Sequence, residues 1–426
     1  MRILYVSQYF PPEMGAPAAR VYELARAWVK LGHQVTVLTA FAHHPTGIKA
    51  EADRGVLTRR ETIDGIQVIR TYVYATANKG ILKRMVSYAS FMLSAMTIGR
   101  LRIAPPDVVI ATSPQLLCAV AGYTLARTLG APFVFEVRDL WPESILAVEA
   151  LRDSLLIGAL KGVARHLYHR CEKIVTVGDG YRRGIHQRYG IPLTKMAVVR
   201  NGIDTDLFVP LPRNNEVRNA YGWGNRFVLM YVGTLGMAHG LQHVLEAARA
   251  LRDDPDKLFV FVGEGAEKEA LKRLAADWQL PNVQFIDQQP KARIPWFLAA
   301  CDLGLVSLRN TPLFQEVLPS KIFEYLGMER PVLINVAGEA RQIVEQAAAG
   351  EYVASEDVPA MVEAIRRLAQ QPKRLQSMGR SGREFVLKHF DRSVLARHYL
   401  EILTACIKRA PAACNPDNSA RTEFVL

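Results

Sequence analysis

The stretch FVLMYVGTLGMAHG, residues 227–240, decides the fold. Phe227 to Val232 are apolar without interruption, the pattern of a strand buried on both faces. Gly233, Gly236 and Gly240 then punctuate a turn, and a helix-period segment starts near Leu241. The chain opens in the same way. RILYVS, residues 2–7, runs through PPEMGAPAAR, residues 11–20, into a helix from about Ala18 to Leu31. A strand–glycine turn–helix unit that begins at residue 2 and again at residue 227 implies two domains in series.

The runs on either side agree. QVTVLT, IQVIRT, DVVIAT, APFVFEV, KIVTVG and MAVVRNG alternate with helical segments before residue 204. LFVFVGEG, VQFI, DLGLVS and PVLINV do so after residue 227. That rhythm predicts an α/β protein with two doubly wound parallel sheets. The expected N-terminal domain is 1–204 and the C-terminal domain 205–392. VPLPRNNEVRNAYGWGNR, rich in Pro, Asn and Gly, reads as linker. A last helix, 393–408, is expected to cross back to the N-terminal domain, and 409–426 to be a flexible tail. Ligands of open sheets bind beyond the carboxyl ends of the strands, so the cleft between the domains is the expected site. A chain of 426 residues exceeds one ordinary core, which fits.

Composition narrows the class. Hydrophobic content of 50% with 22% charge excludes a disordered chain. Cys118, Cys171, Cys301, Cys406 and Cys414 are scattered and form no C-x-x-C pair, which points to a reducing compartment and against a zinc ribbon. The N-terminus reads as a first strand and not as a signal peptide. VVIATSPQLLCAVAGYTLA, residues 108–126, has the length of a membrane span, but Ser113 and Pro114 split it into a strand and a helix.

Charge is uneven. Residues 1–204 hold 26 Lys/Arg against 15 Asp/Glu, and residues 205–426 hold 27 against 26. No acid occurs from Gly65 to Pro106, where Lys79, Lys83, Arg84, Arg100 and Arg102 cluster around an apolar stretch. Two readings stay open: a helix lying on an anionic membrane surface, or a core helix with solvated ends. Nucleic-acid binding is not expected, because no stacking aromatics accompany the charge.

Several motifs exclude chemistries. The glycines of 227–240 and of FVGEGAEKE, residues 261–269, do not form G-x-G-x-x-G, so no nicotinamide fingerprint is present. Gly15, Gly233 and Gly263 still mark places for close backbone approach. Asp204 and Asp206 read as a turn and cap. His166, His169 and Cys171 lack a second ligand pair for zinc. No serine-hydrolase or zincin motif occurs.

LFQEVLPSKIFEYLG, residues 313–327, carries the positive evidence. Pro319 and Ser320 read as a helix start with Ser320 as N-cap. Lys321 falls in the first turn, Glu324 at its end and Glu316 in the preceding loop. The ammonium and the free N–H groups of residues 321–324 would converge on an anion. A carboxylate on each side suits a ligand with a sugar at each end of a phosphate.

Together these segments resemble the family-four retaining glycosyltransferases. The likeness is carried by PPEMGAPAAR, ELARAWVKLGHQVTVLT, VVRNGIDTDLF, YVGTLGMAHGLQHVLEAA, FVGEGAEKEAL and EVLPSKIFEYLGMERPVL, and spans nearly the whole chain. FEVRDLWPES and LPSKIFEYL are most similar to the branch of N-acetyl-L-fucosamine transferases that builds bacterial O-antigen and capsule. The resemblance implies the GT-B fold of two Rossmann-like domains. It implies that Glu324 binds the donor ribose, Glu316 the transferred sugar, and Gly15 the diphosphate, with Gly233, Gly263, Leu318 and Ser320 around the donor. Asp139 would stand beside the acceptor. Arg138 replaces a usual histidine, and Thr234 and His239 replace a usual arginine and lysine. The diphosphate cation is therefore expected to be Lys321, with Arg138 assisting. A UDP-sugar donor, a lipid-linked glycan acceptor at the cytoplasmic face of the membrane, and no metal or cofactor are implied. Two rivals remain: a nucleotide-sugar epimerase, and a non-catalytic sugar-nucleotide-binding partner protein.

Overall fold

The computed structural model describes residues 1–13, 15–43, 46–76, 81–113, 115–144, 155–312, 314 and 317–409. Lys79, Glu316 and the tail from residue 410 lie outside them.

The first sheet contains β1 (Arg2–Val6), β2 (Gln34–Ala40), β3 (Thr58–Ile63), β4 (Ile66–Thr71), β5 (Val108–Thr112), β6 (Phe133–Val137), β7 (Lys173–Thr176) and β8 (Met196–Val198). Its order is β3-β4-β2-β1-β5-β6-β7-β8. The second contains β9 (Phe227–Val232), β10 (Lys257–Val262), β11 (Val283–Ile286), β12 (Leu303–Val306), β13 (Val332–Ile334) and β14 (Gly350–Tyr352), in the order β11-β10-β9-β12-β13-β14. The parallel part of each order reverses once, at β1/β5 and at β9/β12, and those reversals open the crevices where ligands of such sheets bind. The fold is the expected pair of Rossmann-like domains.

β9 is central because both its faces are apolar. Val228 and Met230 pack into the cluster that holds Ile322 and Tyr325. Leu229 and Tyr231 pack on the other side, against Leu241, Val244 and Leu245. The unbroken run of 227–232 thus reports burial on both sides.

Two strands escape the pattern. β3, TRRETI, pairs antiparallel with β4 and is the one antiparallel pair among the described strands. Its turn is Asp64–Gly65, with φ of 51° and 79°. An Asp-Gly turn between two runs was its available signal. Its polar residues suit an exposed edge. β14, GEY, is only 3 residues long.

The uncharged run 108–126 is indeed β5 followed by the helix Leu116–Leu129. No described helix is long and apolar enough to cross a membrane. The basic segment forms the helix Ile81–Ser94, continued by tighter and wider turns to Arg102. Tyr88, Phe91 and Ala95 enter the core of the first sheet. Val86, Leu93 and Leu101 face outward and are exposed. The helix is therefore a core helix on one side and an apolar surface on the other.

The 205–226 segment is more ordered than a bare linker. It holds the helix Glu216–Ala220, capped by Asn215, whose Oδ1 accepts from the Val217 N–H at 2.9 Å. Val217 and Trp223 join the core of the second sheet. Asp204 accepts from Arg26 at 2.8 Å and from the Asp206 N–H at 3.2 Å, a turn and tether. After the second sheet, three helices follow, Val358–Ala369, Pro372–His389 and Arg392–Arg409. The last returns to the first sheet. There the Trp28 Nε1 donates to the Ala396 carbonyl at 3.0 Å, and the Trp28 and Tyr399 rings meet edge-on at 5.4 Å. At the crossing, a β-carbon on Gly202 would lie 2.3 Å from the Phe390 carbonyl oxygen, so only glycine fits.

Candidate active site

The second crevice is built from two glycine loops in backbone contact. Gly233 ends β9 at φ 139° and Gly263 ends β10 at φ 148°, conformations that L side chains rarely adopt. The Gly233 N–H donates to the Val262 carbonyl at 2.9 Å, and the Leu235 N–H to the Glu264 carbonyl at 2.9 Å. The close spacing leaves no room for a side chain at Gly263, as its neighbour is the Gly233 carbonyl.

The helix Lys321–Gly327 docks beside these loops. Tyr325 anchors it to β9, its hydroxyl donating to the Met230 carbonyl at 2.6 Å and accepting from the Val232 N–H at 3.1 Å. That anchoring sets Lys321 against Gly233. The Lys321 Nζ is buried and makes no hydrogen bond among the described residues. A β-carbon on Gly233 would lie 3.1 Å from it. Burial pulls the Lys321 ammonium down to about 7, with Glu324 opposing the shift. Burial pushes the Glu324 carboxyl up, against the opposing charges of Lys291 and Lys321.

His239 does not replace the missing lysine. Burial and the Lys321 charge push its imidazole down to about 3, so the ring is neutral near pH 7. Its Nδ1 faces the Ser307 carbonyl at 3.3 Å, which makes Nδ1 the protonated nitrogen of that tautomer. Thr234 is exposed and neutral; its carbonyl accepts from the Tyr231 hydroxyl at 2.8 Å. Lys321 is thus the cation set against Gly233.

Three expectations need correction. Ser320 precedes the helix in the right-handed helical conformation and makes no side-chain cap bond, because its φ and ψ of −62° and −25° turn the hydroxyl away from the cap geometry. The helix is also only 7 residues long, so Lys321, not the helix end, supplies the local charge. Leu318 is 3% exposed and packs into the core of the second sheet, so its side chain does not line the crevice.

In the first domain, Gly15 stands at φ 132° just before the helix Ala16–Lys30. Arg138 turns inward to it. Its Nη1 donates to the Pro17 carbonyl at 3.1 Å, and the buried Glu136 is the charge that most favours its guanidinium. Glu136 also accepts from the Tyr5 hydroxyl at 2.5 Å and from Arg20 at 3.0 Å. Arg138 thus ties the segment after Gly15 to the end of β6. Asp139 follows, its N–H and that of Arg138 both donating to the Ser113 hydroxyl, at 3.3 and 2.9 Å. Burial pushes the Asp139 carboxyl up to about 6, while the Ser144 hydroxyl and the Leu140 N–H oppose the shift.

Sequence reasoning missed Lys291. It follows β11 in the short turn Lys291–Arg293, and its ammonium pairs with Glu23 of the helix Ala16–Lys30. Glu324 is the charge that most favours its cation. Lys291 thus links Glu324 to the first domain. Its one available signal was its place just past a strand's carboxyl end. A second bridge joins the domains at Arg200, whose Nε meets Glu339 at 2.6 Å and whose Nη2 meets Asp179 at 2.5 Å. Among the described residues no cluster of metal-ligating side chains occurs.

Two facing Rossmann-like domains with a glycine-loop crevice define the GT-B class of glycosyltransferases. Residues 18–207 match the family model described as Glycosyltransferase Family 4, and residues 214–385 match that described as Glycosyl transferases group 1. The chain belongs to these glycosyltransferases. It is 25% identical over 424 residues to a protein named putative colanic acid biosynthesis glycosyl transferase WcaI of Escherichia coli, covering 94% of this chain and 99% of that one. It is 24% identical to the probable glycosyltransferase WbjE of Pseudomonas aeruginosa, over 75% of this chain and 78% of that one. Among solved structures, HepE of Anabaena in complex with UDP and glucose aligns with a TM-score of 0.72 at 19% identity, covering 95% and 100% of the two chains. Sucrose-phosphate synthase of Thermosynechococcus elongatus aligns with 0.73 at 16%, over 96% and 99%. None of this supports an epimerase.

Proposed function

We propose that the protein is a retaining glycosyltransferase of bacterial surface polysaccharide assembly. It moves an N-acetylated deoxyhexose or hexosamine from a UDP-sugar to a lipid-linked acceptor. The observation that carries this reading is the buried Lys321 ammonium, set against Gly233 where two glycine loops meet. A cation there neutralises charge as it develops on the leaving diphosphate, the main demand of the transfer. The relative named for colanic acid biosynthesis and the UDP complex of HepE support the substrate class.

In the proposed reaction the bond from the sugar's anomeric carbon to the UDP oxygen breaks. The acceptor oxygen bonds to the same face of that carbon, and its proton passes to the donor phosphate. Glu324 binds the ribose hydroxyls and Glu316 the transferred sugar. Asp139 lies on the acceptor side. The scheme uses no metal, because Lys321 provides the positive charge. Domain closure excludes water from the donor.

Two measurements test this. A UDP-sugar at a hundredfold above its Kd should stabilise the protein by about 2.7 kcal/mol in a thermal-shift assay. With a lipid-linked acceptor, the product should keep the donor's anomeric configuration by NMR. Absence of any shift with UDP-sugars, or an inverted product, would sink the reading, and conversion of UDP-N-acetylglucosamine to an epimer without acceptor would replace it.

The acceptor side is proposed to rest on an anionic membrane through the helix Ile81–Ser94 and its continuation. Lys83, Arg84, Arg100 and Arg102 there surround the exposed Val86, Leu93 and Leu101. Changing Lys83 and Arg84 to Glu should abolish co-sedimentation with phosphatidylglycerol vesicles and leave UDP binding unchanged. Undiminished co-sedimentation would refute the membrane contact.

A further inference from the structure

The Lys321 ammonium has an uncommon seat. Nζ lies 3.5 Å from the centroid of the Tyr231 ring, close and central over its face. A buried ammonium normally rests against a carboxylate. Here no ion pair to Lys321 occurs among the described residues, and the ring face is the closest compensating group. The ring itself is fixed. Tyr231 is 0% exposed on β9, its hydroxyl is tied to the Thr234 carbonyl, and the His239 ring meets it edge-on at 5.7 Å. The Phe261 ring packs beside it, tilted, at 6.4 Å between centroids.

We propose that Tyr231 is the positioning residue of the donor site: its ring face holds the Lys321 ammonium against Gly233 and presents it, still charged, to an incoming diphosphate. This rests on the reading of Lys321 as the diphosphate cation. The physical advantage over a carboxylate partner is specific. A carboxylate would occupy the N–H groups, repel the diphosphate and have to be displaced. A ring quadrupole attracts the cation without net charge and leaves its N–H groups free to donate. The other groups facing Lys321 fit this. Glu324, on its own helix, favours the cation from the side, and Lys291, beyond β11, offsets that carboxylate. His239, from the turn after Gly236, is neutral.

The test replaces Tyr231 by phenylalanine and then by mono-, di- and trifluorinated phenylalanines. These keep the ring's shape while its face becomes steadily less negative. UDP affinity is measured by calorimetry from neutral to alkaline pH, with melting temperature as the folding control. We expect affinity to fall step by step, by about tenfold across the series. The alkaline loss of binding should move to lower pH, because the ammonium loses a favourable neighbour. Phenylalanine, which lacks the hydroxyl tie to Thr234, is the reference against which the fluorinated members are read. A flat series, with UDP binding still sensitive to Lys321→Ala, overturns the role of Tyr231 and leaves the diphosphate reading intact. A flat series with Lys321→Ala also binding normally overturns both.

Discussion

Lys321→Ala should lower turnover by about 10²-fold or more, the cost of removing a charge donor to a developing anion. The effect should fall mainly on kcat, because negative charge on the diphosphate grows as the glycosidic bond breaks. Stability should move the other way. The Lys321 cation is held at about 7 in the folded chain, below the ordinary lysine range. Between that value and the unfolded lysine's pKa the unfolded chain binds a proton the folded chain lacks. Wild-type stability therefore rises with pH across that window, and the charged lysine costs stability below it. The alanine variant lacks this dependence, so it should be at least as stable near neutrality while being nearly inactive. Steady-state kinetics and denaturant melts at several pH values check both halves. A near-normal kcat would remove Lys321 from the mechanism.

Gly263→Ala should damage folding and binding together. Its β-carbon would sit 2.0 Å from the Gly233 carbonyl oxygen, at a φ of 148°. The obstructing atom is backbone, so no side chain can yield. Backbone strain of about 1–3 kcal/mol and overpacking of about 1–3 kcal/mol act at once. In a domain of this size that lowers the melting temperature by roughly 10 °C. Gly233 must also shift, and with it the contact that seats the Lys321 ammonium. UDP affinity should therefore fall even in the fraction that folds, as calorimetry below the melting transition would read. An unchanged melting temperature with wild-type affinity would show that the two loops separate freely.

The architecture was legible because it is written in local patterns. The apolar run 227–232 between glycine turns specifies a strand buried on both faces, and its recurrence specifies a second sheet. The glycines at 15, 233 and 263 were legible for a related reason: positive φ and close approach exclude other residues. β3 and β14 were not found, because an edge strand needs no apolar alternation and a three-residue strand has no period. At the site, the order Pro-Ser-Lys followed by Glu324 gave the helix start and its charges. It could not give Ser320's missing cap bond or Leu318's burial, since both depend on how the helix docks against the sheet.

The sequence by itself determined two Rossmann-like domains, their glycine loops and the lysine that faces them, because each is set by neighbours within a turn or a strand. Only the tertiary structure decided what surrounds that lysine. Tyr231, His239 and Lys291 come from separate elements, and Arg138 is tied to the Pro17 carbonyl beside the buried Glu136. Those outcomes depend on burial and on charge across long stretches of chain. In a low-dielectric interior they change a side chain's charge and direction without leaving a trace in local spacing.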